Sequence, residues 1–248
     1  MIRLGVVSGK GGVGKTTIAT SIAVALARRG FSVGLVDVDV TGPNVHDILG
    51  TRELDISESD RLVPAETMGV KYVSIGQIAS RDLPVLWEPK NIASAARQLV
   101  ERTEWGDIDF LVMDFPPGFG PETLEMLPLI DYAVIVTTPS NLSVSKVRRM
   151  VEACREYGVP VAGIIVNMSH FACPYCGAVW SMFHDPDLKD LGAPVIAEIP
   201  LSLEVAGRKI IEDFPIDTLL EVLERPVVLE KRRGKSLKRR LLELLLRW

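Results

Sequence analysis

Cysteine is scarce in this sequence: three residues among 248, with as few histidines. Three thiols do not make a disulfide framework, so the fold is expected to stand on its core. Long apolar runs are missing too. No uninterrupted stretch approaches the roughly 20 residues that cross a bilayer. The apolar opening "MIRLGVVSGK" is too short for a signal-peptide core and runs straight into a glycine-rich loop. No targeting signal is therefore expected, and a reducing cytoplasm is the expected location. A strong charge of one sign is also lacking. The net charge of −4 gives no general attraction to nucleic acid, and no nucleic-acid partner is expected. What the chain does have is 47% apolar content, enough for one large domain.

Short β-rich runs alternate with helical patterns. "IRLGVV", "SVGLVDVDV", "VKYVSIG", "IDFLVMDF", "YAVIVTTP", "VAGIIVNM" and "APVIAEIP" read as strands. Several are almost continuously apolar, as suits strands covered on both faces. "TTIATSIAVALARRG", "NIASAARQLVER" and "SVSKVRRMVEACREYG" read as helices, with Gly30 as the stop of the first. The alternation predicts an α/β fold with a doubly wound, mostly parallel sheet over residues 1–225. Residues 226–248 change character, becoming basic and leucine-rich. There Leu237, Leu241, Leu244, Leu245 and Trp248 fall at helical spacing beside Lys238, Arg239, Arg240 and Arg247. Such a helix suits an anionic membrane surface, or packing on the body or a partner subunit.

"GKGGVGKTT" carries the chemistry. It fits G-x-x-x-x-G-K-S/T, with a strand before it and a helix after it. Gly9, Gly11, Gly12, Val13 and Gly14 let the backbone turn its N–H groups inward with little side chain in the way. The helix N-terminus adds a positive dipole end. Lys15 is placed to reach the β- and γ-phosphates, Thr16 to give its hydroxyl to Mg²⁺, and Thr17 to help hold the α-phosphate. Lys10 is a second lysine that the basic pattern does not require.

Hydrolysis also needs a metal holder and a group that positions water. Asp37 and Asp39 end the second strand in "VDVDVTGPN", where ligands bind in open α/β sheets. Asp39 is expected to orient the attacking water, and Asp37 to support the loop or the magnesium shell. Asp114 closes the apolar strand "FLVMD" and is expected to hold Mg²⁺. Asn167 ends "GIIVN", where its amide can read the edge of a base.

Cys173 and Cys176 sit in "SHFACPYCGAVW". Soft thiolates suit iron–sulfur clusters or zinc. One chain supplies two thiolates where a tetrahedral site takes four ligands. His170 and His184 flank the pair and could complete a zinc site, whereas two facing subunits would supply four thiolates. "CPYC" is also the glutaredoxin tetrad, which leaves a dithiol redox role open. Cys154 falls within a helix and reads as a small core residue.

"KGGVGKT" resembles the deviant Walker A ATPases, the class of MinD and ParA. Together with "DVDVTGPNVHDILG", "VLWEPKNIASAARQLV", "MDFPPGFG" and "NMSHFACPYCG", it resembles the Mrp/ApbC iron–sulfur carrier ATPases. The resemblance implies an ATP-hydrolysing homodimer in which Lys10 crosses to the partner's nucleotide and Asn167 contacts adenine. It implies a 4Fe–4S cluster bridged by Cys173 and Cys176 of two subunits and passed to apoproteins. The chain departs from the family's PPGTGD at "PPGFGPE", with Phe119 for the threonine and Pro121 for the aspartate. The alternative is a MinD/ParA-like positioning ATPase that uses the tail as a membrane or partner helix.

Overall fold

The computed structural model describes residues 1–52, 54–77, 89–173, 175–181, 192–202, 207 and 209–224. The expected tail and His184 lie outside them. The described chain opens with β1 (Ile2–Val7), α1 (Lys15–Arg28), β2 (Val33–Asp37) and α2 (Val45–Leu49). Short β3 (Asp55–Ile56), β4 (Leu62–Val63) and β5 (Ala65–Thr67) precede β6 (Val70–Ser74) and α3 (Pro89–Glu101). Then come β7 (Phe110–Asp114), α4 (Pro121–Met126), β8 (Tyr132–Thr137) and α5 (Asn141–Tyr157). The chain continues through β9 (Val161–Ala172), β10 (Val179–Trp180), β11 (Val195–Leu201) and α6 (Ile216–Glu224).

The strand order is β10-β9-β8-β1-β7-β2-β6-β5, with β11 also on β9. β5 and β10 pair antiparallel and the other strands of this sheet pair parallel. The chain thus winds outward from β1 in both directions, as the alternating pattern predicts. Both faces of the strands are buried, because period-2 side chains are apolar on both sides. Leu111 and Met113 of β7 pack with Leu99, Met126 and Met150 on one face. Phe110 and Val112 pack with Ile18, Ile22 and Leu219 on the other.

Gly30 adopts φ 88 and donates its N–H to Ala27 O, ending α1 where a left-handed residue costs a glycine nothing. The segment between α2 and β6 contains structure of its own, the β3–β4 hairpin and β5. These strands of two or three residues are too short to show a period in the sequence.

Candidate nucleotide and cysteine sites

β1 lies between β7 and β8, so the loop after it is flanked by the C-terminal ends of both. Gly12 and Gly14 take φ of 75 and 83, and Gly14 precedes α1 without a side-chain cap. The first N–H groups of α1 are thus available to a ligand. Lys10 to Thr17, Asp39 and Pro117 are among the residues lining a cleft of about 420 Å³. Gly9 sits just outside it, against α5: a Cβ there would meet Lys146 Cβ at 2.7 Å.

Beneath the cleft lies Asp114. Thr16 Oγ1 donates to its Oδ2 at 2.6 Å, and Lys15 Nζ stands 3.4 Å from its Oδ1. Both partners of this ion pair are buried, so each charge relies on the other while no phosphate is bound. Hydroxyl and carboxylate oxygens are the hard donors that Mg²⁺ takes, and the chemistry of this pair fits that ion.

Asp37, the last residue of β2, and Asp39, just beyond it, part company. Asp39 lines the cleft and accepts from Thr41 Oγ1 and Gly42 N at 3.1 Å each. Burial raises its pKa, opposed by Lys15. Asp37 is fully buried and takes donors from Asn44 N at 2.9 Å, Val45 N at 3.1 Å and Ser74 Oγ at 2.9 Å. It fastens the segment after β2 to the sheet. Burial and the neighbouring Asp114 carboxylate push its carboxyl up to about 8.

Asn167 is fully buried and donates from Nδ2 to Val13 O at 2.8 Å, while its Oδ1 has no partner. It therefore touches the loop itself and keeps one free acceptor. Lys10 does not join Lys15 on Asp114. Its Nζ donates to Ser140 Oγ at 3.4 Å, and burial and the nearby Lys146 lower its pKa. Glu122 curls back over Gly120, the residue before α4: a Cβ on Gly120 would meet Glu122 Oε1 at 2.0 Å.

The cysteine motif forms a hairpin. β9 runs on to Ala172 and turns into β10, with Cys173 N donating to Ala178 O and Gly177 N to Cys173 O, both at 2.9 Å. Backbone N–H groups of Cys176 and Tyr175, then the Cys176 side chain, hold the Cys173 thiol below its ordinary range. Tyr175 is 97% exposed, and Val179 and Trp180 are exposed beside it. Among the described residues no group of three or more potential metal ligands forms in one chain. Cys154 is buried in α5, where burial pushes its thiol up to about 12, as a core residue should behave.

Sequence reasoning missed Ser74 and the buried His46, whose Nδ1 lies 3.4 Å from Ser74 Oγ. The available signal was a polar residue ending the strand next to Asp37. It points to a role only once β2 and β6 are known to be neighbours.

A family model described as the ParA-type NUBPL iron-transfer P-loop NTPase matches residues 2–213. The chain belongs to this family. It is 38% identical over 209 residues to the iron–sulfur cluster carrier protein of Methanocaldococcus jannaschii, covering 80% of this chain and 72% of that one. The carrier of Aquifex aeolicus is 37% identical over 210 residues, covering 81% of this chain. This chain spans only 58% of the Aquifex protein's length. A nucleotide-binding protein of Archaeoglobus fulgidus, solved with ADP, superposes with a TM-score of 0.72 at 29% identity, covering 93% of this chain and 94% of that one. The cell-division ATPase MinD of Pyrococcus furiosus shares the fold, with a TM-score of 0.66 at 20% identity, covering 90% and 98%. Among the described residues no helix is long and apolar enough to cross a membrane.

Proposed function

We propose that this chain is an ATP-dependent iron–sulfur cluster carrier. It would work as a cytoplasmic homodimer, holding a 4Fe–4S cluster as cargo between Cys173 and Cys176 of two subunits and delivering it to apoproteins. One observation carries the reading. A single strand, β9, touches the phosphate loop through Asn167 and reaches the cysteine hairpin six residues later at Cys173. A second copy supplies the two thiolates that one chain lacks, and it would cover the apolar rim of Tyr175, Val179 and Trp180.

In this reading the nucleotide phosphates take Lys15 from Asp114, and the N–H groups of Gly11 to Thr17 close around them. Asn167 offers its free Oδ1 to a donor on the base edge, as an adenine amino group would provide. Asp39 orients the attacking water, and Lys10 leaves Ser140 for the phosphates of the partner's nucleotide. Thr16 and Asp114 would hold Mg²⁺, which when bound neutralises charge on the transferred phosphoryl group. Asp37 keeps the Asp39 segment in place. The positioning-ATPase alternative rests on a tail outside the described residues, and nothing described favours it.

Anaerobic reconstitution followed by absorbance and iron counting tests the assignment. The expected stoichiometry is one four-iron cluster per two chains, lost in Cys173→Ser and in Cys176→Ser. Bound iron that survives both substitutions would sink the reading.

A further inference from the structure

Three non-glycine residues among those described have positive φ: Asp60, Met68 and Met168. Asp60 and Met68 lie in turns between short strands. Met168, at φ 56, lies inside β9. A long side chain gains nothing locally from the left-handed region, so the surroundings must hold it there. The strand shows how. Ile199 of β11 pairs with Asn167 and Leu201 with Phe171, so two steps on β11 answer four on β9. The extra residues form a bulge at positions 168–170, and bulges re-aim the strand that carries them.

The bulge joins two sites. On its N-terminal side Asn167 grips Val13 of the phosphate loop and keeps Oδ1 unpartnered. The Met168 side chain itself lines the nucleotide cleft, its Cε 4.0 Å from where a Cβ on Gly14 would lie. On the C-terminal side Phe171 stacks on Trp180, 6.1 Å between ring centres, and Cys173 follows. The cleft is therefore lined by the residue at which the strand bends on its way to the hairpin.

We propose that Met168 is a positioning residue that couples occupancy of the nucleotide cleft to the aim of Cys173 and Cys176. This rests on the carrier reading above. Nucleotide would favour one of two arrangements of the bulge by touching Met168 and engaging Asn167 Oδ1, and the two arrangements would present the thiolates differently to the cluster.

The test uses the full chain, reconstituted anaerobically to equal iron content. Iron is withdrawn with a ferrous chelator and followed by loss of cluster absorbance. Rates are compared without nucleotide and with saturating non-hydrolysable AMP-PNP, so that changes in affinity do not enter. The wild-type rate is expected to change about 5-fold or more between the two states. Met168→Gly, which accepts positive φ freely, is expected to lose most of that change. Met168→Leu, which keeps the bulk and the strain, is expected to retain it. Amide exchange over residues 168–173 should respond to AMP-PNP in wild type and Met168→Leu but not in Met168→Gly. A wild-type nucleotide effect in Met168→Gly overturns the proposal. So does a wild-type protein that binds both cluster and AMP-PNP with no change in rate, an outcome that leaves the carrier reading intact. A wild-type protein that takes up no cluster overturns both.

Discussion

Asp37 shows how one residue's setting can reverse its ordinary behaviour. Its carboxyl is pushed from 3.8 up to about 8 by burial first and by Asp114 second, against the donors from Val45 and Ser74. The folded chain therefore keeps a proton that the unfolded chain releases above about pH 4. A raised folded-state pKa gives stability that is fully present below the unfolded value and is lost as pH rises through the folded one. Between about pH 4 and pH 8 this group alone should lower stability by up to about 1.4 kcal/mol per pH unit. Asp37→Asn is expected to remove that slope in the nucleotide-free protein, as read from denaturant midpoints across the window. Parallel pH curves for the two proteins would refute it. The motif made Asp37 legible as an acidic strand end. Its pairing with Ser74 was not legible, because Ser74 belongs to a strand 37 residues away.

Elements meet closely at Gly14. It sits between loop and helix at φ +83, where an added Cβ would stand 2.2 Å from Asn167 Nδ2. Gly14→Ala thus combines backbone strain with a clash against a buried amide that is bonded to Val13. An expected loss of about 2–4 kcal/mol follows from the two together. Urea unfolding measures it, and a loss under about 0.5 kcal/mol, the range of ordinary surface changes, would show that β9 does not press on the loop. The glycine pattern made the loop legible, since loop and helix start are contiguous. The hairpin at the cysteines was not, because "GAVWS" offers only two residues of strand to pair with Phe171 and Ala172.

For the whole molecule the question is where Lys10 points. It rests on Ser140 while Lys15 pairs with Asp114, so the two lysines of one loop have separate partners. If Lys10 serves a second subunit, Lys10→Ala should weaken ATP-dependent pairing by about 10- to 100-fold, the worth of one charge-assisted hydrogen bond. Sedimentation velocity with a non-hydrolysable nucleotide reads this directly, and unchanged pairing would confine Lys10 to its own loop. By itself the sequence determined the alternation of strands and helices, the glycine-rich loop and the acids that end β2 and β7. All of these follow from local period and contiguous spacing. Tertiary structure alone decided that Lys15 meets Asp114 across 99 residues and that Asn167 meets Val13 across 154. It also decided that nucleotide cleft and cysteine hairpin share one strand. Those neighbours are set by the order in which the strands close into a sheet, and no local pattern encodes that order.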